Sequence, residues 1–178
     1  MPATPLAKLR ELIVYLANRS SDDPRFGRTK LAKLLFYCDF GAYSEFGEPI
    51  TGARYRKKPH GPLADEELLA LRDLTDSGAV KVEEIGRYVY KQKRVVAQRK
   101  ADVSWLTPQQ HGLIDEVLER HWNDDATDLS NLSHTFPGWA LATMNEEIPY
   151  HTVFIAREGA TQADIDWARA IVKERSLA

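Results

Sequence analysis

Residues 30–40 read KLAKLLFYCDF. Leu31, Leu34, Leu35 and Cys38 recur at helical spacing and make one apolar face. Phe36 and Phe40 fall on another face, so a helix beginning near Arg28 is apolar on two sides. Such a helix must be enclosed by other elements, and the stretch therefore predicts a domain packed around it. Asp39 lies in the gap between the Leu35 and Phe36 sides. A carboxylate there needs partners or its pKa rises and it takes up a proton. It is read first as a structural anchor bonded to loop backbone or a cation, and second as an acid or base, for which no counterpart stands nearby in sequence.

Working outward, Leu6, Leu9, Leu12, Ile13 and Leu16 give an amphipathic first helix, which the polar stretch NRSSDDPRFG ends. After the central helix, Gly47 and Pro49 open a loop, and ITGARYR reads as a short strand. A third helix is expected from near Pro62, with Asp65, Glu66 and Glu67 on the positive end of its dipole. Its apolar stripe is Ala64, Leu68, Leu71 and Leu74, and Gly78 is its left-handed cap. VKVEEI and YVYKQKRVVAQ, joined at Gly86-Arg87, read as a β-hairpin. Thr107 to Gln110 form a capping-box start to a helix with Leu113, Ile114, Val117 and Leu118 inward. A short helix through Leu129 and Leu132 stops before Pro137, and IPYHTVFIA reads as an edge strand or an extended arm. Thr161 caps a last helix over about 162–176. The sum is one α+β domain over 1–178, predominantly helical, with about six helices and a small hairpin in a somewhat winged-helix-like order.

The composition is that of an ordinary globular chain: 178 residues, 43% hydrophobic and 28% charged. With 24 Lys and Arg against 26 Asp and Glu, the net charge of −2 argues against whole-molecule attraction to nucleic acid or anionic membranes. One cysteine, Cys38, excludes an internal disulfide and a cysteine-rich zinc cage, and suits a reducing cytoplasm. The N-terminal apolar residues are spaced by charges unlike a signal peptide, and no apolar run approaches a bilayer span. The expected location is the cytoplasm.

The densest local signal is Arg54, Arg56, Lys57 and Lys58 followed at once by Pro59-His60-Gly61-Pro62. His60 is braced by prolines, and Gly61 lets the chain turn. His134, in LSHTFPGW, lies between Ser133 and Thr135 and ahead of the Pro137-Gly138 turn that places Trp139. These two stretches are read either as rigid loops that bind something or as interlocking structural turns with Trp139 in the core. His121 reads as a satisfied core histidine, and His111, Asp115 and Glu119 as a solvated row rather than a metal set. Arg87, Lys91, Lys93, Arg94, Arg99 and Lys100, with Tyr88 and Tyr90, would suit a winged-helix regulator contacting phosphates. Against this, acids crowd LADEELLALRDLTD and VEE, and lysines often guard a strand edge. HExxH, GxSxG and GxxxxGKS motifs are absent. A hydrolase or metal protein using His60, His134 and Asp39 remains a third reading.

Three blocks, KLAKLLFYCDF, GEPITGARYRKKPHGP and LSHTFPGW, in this order and at these intervals, resemble the Panacea domain of SocA-like antitoxins. The positions carrying the resemblance are Tyr37 and Asp39; Gly47, Pro49, Thr51, Gly52, Tyr55, Gly61 and Pro62; and Ser133, His134 and Trp139. It covers about residues 6–156, and Thr135-Phe136 departs most from the pattern. The resemblance implies an antitoxin that neutralises a separate toxin encoded by a neighbouring gene, with no cofactor and no catalysis; separately, no metal is expected at His60, His134 or Asp39, whose convergence the sequence only permits. With the domain filling nearly the whole chain, direct protein–protein neutralisation is expected ahead of autorepression, and delivery of the toxin to a protease is a further route. The expected docking edge is Arg54, Tyr55, Arg56, Lys57 and His60, offered to an acidic patch; self-association is left open.

Overall fold

The computed structural model describes residues 4–86 and 91–155. Helix α1 (Pro5–Arg19) starts where Thr4 accepts from the Ala7 amide, with Pro5 in the first turn. Helix α2 (Arg28–Phe46) is the central one. Leu31, Leu34, Leu35, Phe36, Cys38 and Phe40 are all buried, so both apolar faces are covered as the sequence requires. It contacts α1, hairpin strands, two later helices and a 3₁₀ turn. Gly47 ends it in the left-handed conformation at φ 78°.

Next comes a tight antiparallel hairpin, β1 (Tyr55–Lys58) and β2 (Gly61–Ala64), with Lys58 opposite Gly61 and Pro59-His60 as its turn. The far edge of β1 is closed by residues 145–148. Lys57 N–H donates to the Glu146 carbonyl at 2.9 Å, and Ile148 N–H donates to the Tyr55 carbonyl at 2.8 Å. Helix α3 (Glu67–Asp76) follows. This corrects the expectation of a helix from Pro62: Pro62 lies opposite Lys57 in β2, where an outer strand tolerates a residue without N–H. The stripe moves with the start: Ala70, Leu71 and Leu74 are buried, whereas Leu68 is 61% exposed. Gly78 is left-handed at φ 71°, as expected.

A second antiparallel hairpin pairs β3 (Val80–Ile85) with β4 (Gln92–Ala97), in the register Val80 to Ala97. Residues 87–90, including Arg87, Tyr88 and Tyr90, lie outside the described residues, as does the helix expected over 162–176. Helix α4 (Pro108–Arg120) opens with the full Thr107–Gln110 capping box. Helices α5 (Ala126–His134) and α6 (Pro137–Leu141) follow. Residues Tyr150–Phe154 form a 3₁₀ turn rather than the expected strand or arm; the strand-like pairing falls just upstream, where Arg56 bridges Glu147. The chain is thus a mainly helical α+β fold, six α-helices and two small hairpins among the described residues.

Candidate functional site

The three sequence blocks meet around β1–β2. Asp39 is 0% exposed. It accepts from the Thr51 amide at 2.6 Å, the Thr51 hydroxyl at 2.5 Å and the Tyr55 hydroxyl at 2.8 Å. Burial lifts its pKa above the usual aspartate range, against the pull of these donors, the Thr51 side chain first. The anchor reading therefore holds: Asp39 fastens the Gly47–Gly52 loop and the start of β1 to α2. Replacing Asp39 with alanine strands three donors and should cost about 1–3 kcal/mol, measured by urea unfolding.

From the other side, α5 and α6 close on the hairpin. Gly61, at φ 102°, sits against Ser133 and Lys33. The Ser130 hydroxyl donates to the His60 carbonyl at 2.8 Å, and Trp139 Nε1 donates to the Lys58 carbonyl at 3.3 Å. The His134 ring stacks on Trp139 with centroids 4.0 Å apart, and Lys57 Nζ lies over the same indole at 4.1 Å. Burial, then Lys33, His60 and Lys57, hold the His134 pKa below the usual imidazole value, which favours the neutral ring. Trp139 is half-buried rather than a core filler, because the lysine and the imidazole occupy its ring. Tyr37 donates to the Leu129 carbonyl at 3.3 Å and stacks on the buried His121, whose Nδ1 meets Asp124 at 2.7 Å.

The hairpin cations are mostly engaged within the molecule. Arg56 Nε donates to Asp65 at 2.8 Å, and its guanidinium reaches the Asn145 carbonyl at 3.1 Å. Lys57 donates to the Ala142 carbonyl at 2.9 Å and Lys58 to the Asn145 side chain at 2.8 Å. Arg54 is exposed, its guanidinium 3.6 Å from Glu66. His60 stands exposed at the turn. Tyr55 is only 1% exposed, so it cannot be a docking contact and instead supports the hairpin from beneath. On the second hairpin, Arg94 donates to the Asp23 and Ser21 carbonyls, Arg99 pairs with Glu11, and Lys91 with Glu84. Those bonds engage Arg94 and Arg99, two of the arginines a phosphate-contacting wing would use. Among the described residues no group of three or more His, Cys, Asp or Glu gathers as a metal would need. The row on α4 is tied to α1: Tyr15 donates to Asp115 at 2.9 Å and meets His111 at 3.3 Å.

One part of the site was not anticipated. Beside the hairpin a pocket of about 670 Å³ is lined by the start of α2, by Lys58 and His60, and by Lys91 and Lys93 of the second hairpin. Lys33 and Glu67 form its floor; both are buried. Burial depresses Lys33 to about 8, opposed by Glu67, and its Nζ donates to the Pro62 carbonyl at 3.2 Å. Burial raises Glu67 to about 7, opposed by Arg28 and then Lys33. The only signal in the sequence was a Lys at an apolar phase of α2 and a Glu heading α3, each of which reads as ordinary helix decoration. Because the folded Glu67 holds its proton more tightly than an unfolded one, its contribution should fall as pH rises from about 4.5 to about 7. Unfolding of Glu67→Gln across that window should lack this decline.

With this geometry in place, the comparisons give the class. The chain belongs to the family of SocA-like antitoxins with the Panacea domain, which it matches over residues 31–140. That span runs from α2 through α6 and contains nearly all the hairpin frame. No curated protein and no solved structure matches the chain.

Proposed function

We propose that this protein is an antitoxin that neutralises a cognate toxin, encoded by a neighbouring gene, through a direct complex formed at the β1–β2 hairpin. The observation that carries the reading is that the family's three blocks are spent on fixing one exposed turn. Asp39 and Thr51 hold the start of β1 through Tyr55, while Ser130, whose carbonyl takes the Ser133 hydroxyl, and Trp139 hold the carbonyls of His60 and Lys58; together these bonds set the position of the turn and of the cations beside it. A frame of this kind presents a preorganised surface, which lowers the ordering cost of binding. The exposed members, Arg54 and His60, are the contacts assigned to the partner, with Arg56 and Lys57 positioned behind them. Among the described residues no helix is long and apolar enough to cross a membrane.

The test is co-expression with the product of the neighbouring gene, scored for growth and for co-purification. Rescue with a stable complex is expected. The double variant Arg54→Glu with His60→Ala should lose rescue and slow association with an acidic patch, while its unfolding midpoint stays near that of the parent, since exposed ion pairs contribute only about 0–1 kcal/mol. Rescue without a detectable complex would point to an indirect route. Full rescue by the double variant would move the docking face elsewhere.

A further inference from the structure

The pocket beside the hairpin has a construction that the antitoxin reading does not use. Its wall is the N-terminus of α2: Gly27, Arg28 and Thr29 all line it. This is a helix of 19 residues whose cap is a glycine, with no side-chain cap bond and no acid in its first turn. The positive end of its dipole borders the cavity with no side-chain cap of its own, although the carboxylates of Glu67 and Asp125 also line the pocket. A side chain at Gly27 would strike Gln92 at 2.7 Å, so the glycine is what lets β4 close this wall. Around it stand Arg25, Lys58, Lys91 and Lys93, all exposed except the half-buried Lys58.

A second, independent observation lies at the floor. Glu67 is 1% exposed, and neither of its carboxylate oxygens has a hydrogen-bond partner. The nearest cation, Arg28, stops 3.6 Å away. A buried carboxylate left this way is costly, and a ligand bringing N–H or O–H groups would relieve it. The volume falls in the range of small-molecule sites, roughly 300–1,000 Å³. Pro24, Ala32 and Leu63 supply the apolar part of its lining.

We propose that this pocket binds a nucleoside phosphate, with the phosphates at the N-terminus of α2 between Arg25 and Lys93 and the donor groups of the nucleoside directed to Glu67. A simple anion would use the rim and leave the floor unsatisfied. A neutral solute would use the floor and leave the rim idle. A nucleotide has both ends. Arg28 stands between them, and its guanidinium turns from Glu67 toward the phosphate as the donors of the nucleoside take its place.

The experiment is calorimetric titration of the full chain, without any partner, using GTP, ATP and inorganic pyrophosphate. A nucleotide should bind at least about tenfold more tightly than pyrophosphate, equivalent to about 1.4 kcal/mol. The double variant Arg25→Ala with Lys93→Ala, both at exposed positions, should weaken nucleotide and pyrophosphate together and flatten the salt dependence. Glu67→Gln should weaken the nucleotide while pyrophosphate binds at least as tightly as to the parent, because the substitution removes a negative charge and frees Arg28. No nucleotide binding at millimolar concentration would overturn the proposal. So would pyrophosphate binding as tightly as the nucleotides with Glu67→Gln silent, which would reduce the site to a charged patch. Neither result bears on rescue from a toxin, which is read in a separate assay.

Discussion

Gly61→Ala is expected to lower the stability of the fold by about 2–5 kcal/mol, read from urea or thermal unfolding. Two costs add at this position. At φ 102° the backbone is in a region that a Cβ disfavours, and left-handed geometry alone costs about 1–2 kcal/mol. The added Cβ would also lie 2.2 Å from Ser133 Oγ and 2.7 Å from Lys33 Nζ. Neither atom is a free surface end: Ser133 is held by the Ser130 carbonyl at 2.7 Å, and Lys33 is buried. Moving them disturbs α5 and α2 at once, and overpacking of that kind costs about 1–3 kcal/mol. Gly78→Ala is the control. Its φ of 71° carries the same kind of backbone strain, but nothing lies within 4 Å of the added carbon. The difference between the two variants measures the contact term; equal losses would show that the hairpin does not press on α5 as the structure has it.

What the sequence made legible follows from what was periodic. The two apolar faces of α2 and the capping box of α4 are written in local spacing, and both stand as read. Asp39 was legible for the same reason, since its phase on α2 left it no route to water. The start of α3 was misplaced because Pro62 has two good uses, the first turn of a helix and an outer strand, and only the pairing with Lys57 chooses between them. The other edge of β1 is closed by residues 145–148, far along the chain, which no local window contains. The docking edge was half legible. The cluster of cations was plain, but whether each faces a partner or an internal carbonyl is decided by Asn145 and Ala142. The pocket was hidden altogether, because its charges arrive from four separate segments of the chain.

The same long-range logic gives the second large effect. Lys30→Met should destabilise the protein by about 3–5 kcal/mol, because it breaks a buried ion pair and leaves its partner uncompensated. Lys30 is 1% exposed and its ammonium meets Asp23 at 2.8 Å. The two remaining protons go to the Trp122 carbonyl at 3.0 Å and the Asp124 carbonyl at 2.7 Å. All three donors of the ammonium are thus used, and one side chain ties the α1–α2 loop to the α4–α5 loop across the start of α2. Methionine keeps most of the volume of the stem, so the loss reports the charge and its bonds rather than a cavity. The decisive comparison is the double variant Lys30→Met with Asp23→Asn. If the single loss comes mainly from the stranded Asp23, the second substitution should recover a large part of it, as replacing both members of a buried pair often does. If the loss comes instead from the two orphaned carbonyls, the double variant should be no more stable than the single one. A single variant as stable as the parent would mean that this clip is open in solution, and with it the wall that Arg25 and Gly27 give to the pocket.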